Sequence, residues 1–147
     1  METALNVLHV LTAVFIIGPM AILPMTAMQA LRSGHETHVI ALARSTAILS
    51  WASLLVAVLG FGVLGMSDPK YDLSVTTPWV LISLVLYLLA LAVSLLVVAP
   101  TLRRAGAHMN TADAATTTRI GYGRVAASSG IVSLLLVAVV VLMVWKP

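Results

Sequence analysis

Residues 79–99 read WVLISLVLYLLALAVSLLVVA. The stretch holds no charged residue, no proline and no glycine. Its apolar side chains run on continuously instead of alternating, so it does not describe a strand with one wet face. A helix rises about 1.5 Å per residue, so one of this length spans about 30 Å, the thickness of bilayer hydrocarbon. Hydrocarbon offers backbone groups no partner, and a helix satisfies them internally. Residues 79–99 therefore read as a transmembrane helix, and the rest of the chain is interpreted outward from it.

Three further runs have the same character: 4–31, 45–66 and 125–145. The expected fold is all-α: one transmembrane domain over 1–147, a polytopic four-helix bundle. The composition agrees. The chain is 61% hydrophobic and 9% charged, with a mean hydropathy of +1.08, whereas soluble domains carry about 25% charged residues. Glu2 is acidic and the run behind it is too long for a signal h-region, so the first run is expected to remain as a span. The chain has no cysteine, which excludes disulfides, thiolate metal sites, iron–sulfur ligation and cysteine nucleophiles.

The connections set the direction. Arg32 and Arg44 flank the first; Arg103, Arg104, Arg119 and Arg124 flank the third. Together they make six of the eight basic residues. The second, SDPKYDLSVTTP, sets Lys70 against Asp68 and Asp72. The positive-inside rule then places the first and third connections in the cytoplasm and both termini outside, in a bacterial plasma membrane. Trp79 and Trp145 fall at the outer interface and Tyr122 at the inner one, as an aromatic belt requires. The net charge of +3 collects on one face, so it implies anionic lipid and not nucleic acid. Each arginine near headgroups contributes about 1 kcal/mol, and cardiolipin is an expected ligand of Arg103 and Arg104.

A repeat is visible. Each half runs inward and then outward around a basic connection. Arg32-Ser33-Gly34 resembles Arg104-Ala105-Gly106, and placing Arg44 on Arg124 superimposes Ser53-Leu54-Leu55 on Ser133-Leu134-Leu135. This would make two parallel helical hairpins.

Several residues could carry chemistry. His35-Glu36-Thr37-His38 is one residue short of the His-Glu-x-x-His zinc motif. Two imidazoles do not complete a zinc site, though His108 or Asp113 could join them. The competing reading is a solvated turn, in which Gly34 caps the first span and Glu36 suits the start of the second. The arginines around it make the stretch a topology marker, and His35, His38 and His108 remain the metal candidates. His9 lies inside a span, where ionisable residues are functional candidates. A packing histidine bonded to Asn6 or Thr12 is the bland reading. Haem would need an axial methionine such as Met20, Met66 or Met143. Met20, Met25 and Met28 form a thioether set that suits Cu(I), or simply fill gaps beside the kinks expected at Pro19 and Pro24. No Asp or Glu lies within a span, which argues against a proton pump.

What remains is packing. Small residues recur at helical spacing: Ser50, Ser53, Ala57 and Gly60 on the second span, Ala126, Gly130 and Ser133 on the fourth. They let helix backbones approach closely. The third span, nearly all large aliphatics, looks suited to lipid or a flat partner.

Leu8-His9-Val10-Leu11, Gly18-Pro19, Leu31-Arg32-Ser33-Gly34 and Ala99-Pro100-Thr101-Leu102-Arg103-Arg104 resemble a family of small four-span bacterial integral membrane proteins of undefined activity. Within it, the chain is similar to an actinobacterial accessory subunit of the cytochrome bcc–aa3 respiratory supercomplex. The resemblance implies a noncatalytic subunit beside the oxidase, binding no cofactor itself, with haem and copper in partner subunits. The alternative is a stand-alone metal or small-solute transporter using His9 and Met20, Met25 and Met28.

Overall fold

The computed structural model describes residues 2–66, 76–108 and 114–145, with side chains for 3–66, 76–108 and 122–145. The described residues are helical apart from short turns. The first span consists of α1 (Glu2–Thr12), a π-helical segment (Ala13–Ile17) and α2 (Gly18–Arg32). The second is α3 (Glu36–Gly65). The third consists of α4 (Pro78–Val93), a second π segment (Ser94–Val98) and α5 (Ala99–Ala107). The fourth lies in α6 (Ala114–Trp145). All four are long and apolar enough to cross a membrane.

The helices run well past the apolar runs. α3 starts at Glu36, not near Ser45, so the first connection is only Ser33–His35. Arg32 ends α2, Arg44 lies two turns inside α3, and Arg103 and Arg104 lie on α5. The arginines therefore stand on helix ends and not on loops. Helices of 30 residues are about 45 Å long, which carries their ends beyond the hydrocarbon.

The tight first turn has a specific geometry. Gly34 adopts φ +73°, a left-handed conformation that costs a residue with a Cβ about 1–2 kcal/mol. The His35 N–H donates to the Ala30 carbonyl and the Gly34 N–H to that of Leu31. This is a Schellman cap, which satisfies carbonyls that the helix end leaves open.

The spans form a ring in chain order: the first packs on the second and fourth, and the third sits between the second and fourth. At the N-terminal end α1 lies on α3 and α4 on α6; at the arginine end α2, α3, α5 and α6 close together. The third span is the most buried of the four and the first the least. The third span, read as suited to lipid or a flat partner, has one face against its own bundle and one face outward. Ser83, Tyr87, Ala90, Leu91, Ser94 and Val98 share one face and are buried; only its opposite side, with Leu81, Val85 and Leu88, is exposed.

Both π segments precede a proline, as Gly18-Pro19 and Ala99-Pro100. Proline has no N–H to continue the ladder, so the preceding turn widens. These elements stand 81 positions apart, close to the 80-residue offset that superimposes Arg44 on Arg124. The Gly34–Gly106 pairing does not fit that offset. Gly34 makes a turn, while Gly106 lies inside α5 against α3.

Candidate functional site

His9 is half-buried on α1 and faces α3. Its Nδ1 lies 3.0 Å from the Val56 carbonyl. A carbonyl only accepts, so Nδ1 carries the proton and donates. Gly60, one turn further along α3, makes room for the ring: a Cβ there would stand 3.0 Å from His9 Cε1. The expected Asn6 or Thr12 partner is replaced by this bond between spans. The Thr12 hydroxyl donates to the Leu8 and His9 carbonyls of its own helix. A His9→Phe variant keeps the ring and removes the donor. It is expected to lower stability in detergent by about 1 kcal/mol, the scale of an interhelical hydrogen bond in lipid. An unchanged unfolding midpoint would show that the bond contributes nothing.

A second joint lies deeper. Ser53 Oγ donates to the Ser50 carbonyl at 2.7 Å and lies 2.9 Å from the Tyr87 hydroxyl. The serine proton is engaged, so Tyr87 O–H donates to Ser53 Oγ. Thr46, Ser50 and Ser83 are buried and bond back to their own helices. Ser94 Oγ, in the second π segment, is buried with no hydrogen-bond partner among the described residues. The Ser83, Tyr87 and Ser94 face was visible as spacings of four and seven, but the surrounding aliphatics masked it.

A third joint ties the fourth span to the first. Ser133 Oγ donates to the Ala21 carbonyl at 3.2 Å. Pro24, buried one turn further along α2, removes the helical donor of the neighbouring Met20 carbonyl. Of the other small residues, Ala57 and Ala126 are half-buried. Gly130 does not mediate a close approach: a Cβ there would meet nothing within 4 Å. Ser128, Ser129, Val132 and Leu136 turn inward instead. Besides Gly60, the tight glycine is Gly106, where a Cβ would stand 3.0 Å from Ile40 Cγ1 and 3.2 Å from Val39 Cγ1.

At the arginine end, Arg32, Arg44, Arg103, Arg104 and Arg124 are exposed. The Arg32 guanidinium lies 4.6 Å from the centroid of the Tyr122 ring, a cation–π contact that links α2 to α6. His35 and His38 are exposed and stacked, 5.4 Å apart at 16°. His35 Nδ1 lies 2.9 Å from Ser33 Oγ. Ring lone pairs lie in the ring plane, so stacked imidazoles do not aim at a common point. Among the described residues no three His, Asp or Glu side chains gather as metal ligands, so His108 does not complete a set with His35 and His38. The Arg119 side chain and residues Asp68, Lys70, Asp72 and Asp113 lie outside the described residues. The three methionines do not all converge. Met20 is fully buried and Met28 packs partly buried against the same core cluster, while Met25 is exposed on another side of α2. Met20 also stands eleven residues from His9, about 16 Å along a helix.

The arrangement is thus a bundle in which four intramembrane side chains, His9, Ser53, Tyr87 and Ser133, join helix to helix, while the hydroxyls of Thr46, Ser50 and Ser83 bond within their own helices. A family model described as a predicted integral membrane protein, DUF2269, matches residues 3–147. The chain belongs to the DUF2269 family. No curated protein and no solved structure matches it. The DUF2269 description and the four spans agree on an integral membrane protein.

Proposed function

We propose that this DUF2269 chain is a noncatalytic accessory subunit of a respiratory membrane complex, on the oxidase side of a cytochrome bcc–aa3 supercomplex. The reading rests on the resemblance to the actinobacterial subunit called CtaJ. The observation that supports it most is how the polar groups within the spans are used. His9, Ser53, Tyr87 and Ser133 each bond across to a neighbouring helix, and large apolar faces are left outward. Such a bundle suits a body that covers partner surface, orders lipid and stabilises an assembly. In this reading the chain sits in the bacterial plasma membrane with both termini outside. The exposed arginines face cytoplasmic headgroups, and Arg103 and Arg104 attract cardiolipin or another anionic lipid.

Purification of the intact respiratory assembly from native membranes tests the proposal. Mass spectrometry is expected to find the chain at a stoichiometric level. Its absence at that level from an otherwise complete, active assembly overturns the reading. The transporter alternative loses geometric support, because Met20 and Met25 face different ways and His9 is already engaged.

A further inference from the structure

α3 carries two seams. Val39, Ala43, Thr46, Ser50, Ser53 and Val56 form the inward one and are buried. The outward one runs through Arg44, Ile48, Trp51, Leu55 and Val58, all exposed. Its steps of four, three, four and three residues repeat every 3.5, the period at which two helices keep one seam in contact. Left-handed crossings of that kind predominate in membrane bundles.

Trp51 is 63% exposed. It stands seven residues from Arg44 and fourteen from Gly65, about 10 and 21 Å along the helix. That places its indole N–H within hydrocarbon, where lipid tails offer no acceptor. No acceptor for it is found among the described residues. The other tryptophans lie at helix ends, Trp79 opening α4 and Trp145 closing α6, where headgroups and water can meet them. The outer faces of α4 and α6 are aliphatic at this depth, with Leu88 and Leu89 on one and Ile131 and Leu134 on the other. Lipid can cover those faces without leaving a polar group unmet. It cannot do so for Trp51.

We infer that the Arg44–Val58 seam of α3 seats a transmembrane helix of a partner subunit, one that presents a hydrogen-bond acceptor to the Trp51 indole. The inference rests on the accessory-subunit reading and names its contact face. A second copy of this chain fits less well. Its own seam offers Ile48, Leu55 and Val58 and no acceptor, and the hydroxyls of Ser50 and Ser53 are buried on the far side. Tryptophan is also among the residues enriched at interface hot spots.

The test uses the full chain in native membranes. A benzophenone amino acid is placed at Leu55, which neighbours Trp51 on the seam and is 53% exposed, and separately at Leu96 and Leu134, which are 75% and 72% exposed on other faces. Irradiation at position 55 is expected to yield an adduct with a transmembrane peptide of another subunit of the co-purified assembly. That peptide should carry Ser, Thr, Asn, Gln or a proline-freed carbonyl beside the crosslink. Positions 96 and 134 should yield mainly lipid adducts. Trp51→Ala is expected to weaken retention in the assembly about thirtyfold or more. Trp51→Phe, which keeps the ring and loses the donor, should weaken it roughly three- to tenfold. Trp51 lies outside this chain's core, so neither change should alter unfolding of the isolated chain. Lipid-only adducts at position 55, adducts to a second copy, or full retention of Trp51→Ala overturn the inference and leave the subunit reading standing. Full retention of Trp51→Phe overturns the acceptor. Absence of the wild-type chain from the assembly overturns both.

Discussion

A Gly106→Val variant is expected to lose about 2–3 kcal/mol of stability, the upper part of the range for overpacking a close contact. Gly106 is buried in α5, and the nearest atoms to a Cβ there are Ile40 Cγ1 at 3.0 Å and Val39 Cγ1 at 3.2 Å. Val39 is fully buried and branched at Cβ, so it has little freedom to turn away. The first added carbon already presses on α3, and a branched side chain must push the helices apart. Gly106→Ala is the milder case. Its contact cost is partly offset by about 1 kcal/mol of helix propensity. Gly130→Ala supplies the contrast, since its Cβ would meet nothing within 4 Å; it should be neutral or stabilising by up to about 1 kcal/mol. Denaturant or thermal unfolding in detergent ranks the three. Equal losses at Gly106→Val and Gly130→Ala would contradict this account of the α3–α5 contact.

The Ser53–Tyr87 joint should respond asymmetrically. Ser53→Ala removes the acceptor of a buried phenol, and an unmet buried hydroxyl costs about 1–3 kcal/mol. Tyr87→Phe removes the phenol instead. Ser53 then still donates to the Ser50 carbonyl at 2.7 Å, so the loss should be near the 0.6 kcal/mol or so typical of one interhelical bond in lipid. The double variant should therefore be more stable than Ser53→Ala alone, because it leaves no orphaned donor. Additive losses, or a Tyr87→Phe loss as large as that of Ser53→Ala, would show that the pair does not share a bond in the folded bundle. The sign of the coupling is the decisive reading, and a double-mutant cycle measures it directly.

Much of the architecture was legible without coordinates. Continuous apolar runs of membrane-crossing length are one-dimensional signals, and lipid leaves a helix as the only local solution. The four spans, their order and the basic end all follow from residue type and spacing. So does Gly34 as a turn, because few other residues accept a left-handed backbone at low cost. The resemblance and the family match point to the same coarse class, an integral membrane protein.

The facing of each helix was far less legible. A soluble helix marks its buried side with apolar residues. These helices are apolar all round, so hydrophobicity no longer separates inside from outside. That is why the third span, aliphatic by composition and read as suited to lipid or a flat partner, did not reveal which of its faces packs in the bundle and makes it the most buried of the four. It is also why Gly106 and Gly130 could not be told apart. A glycine matters only if another helix comes close, and that is a fact about the neighbour.

By itself, then, the sequence determined the environment, the secondary structure, the number of spans and the basic end, because each depends on transfer from water to lipid, a property of local segments. Only the tertiary structure decided that His9 bonds to Val56, that Ser53 meets Tyr87, that Met20 and Met25 part, and that Trp51 looks outward. These depend on helix rotation and crossing, which are set by side-chain packing between segments dozens of residues apart.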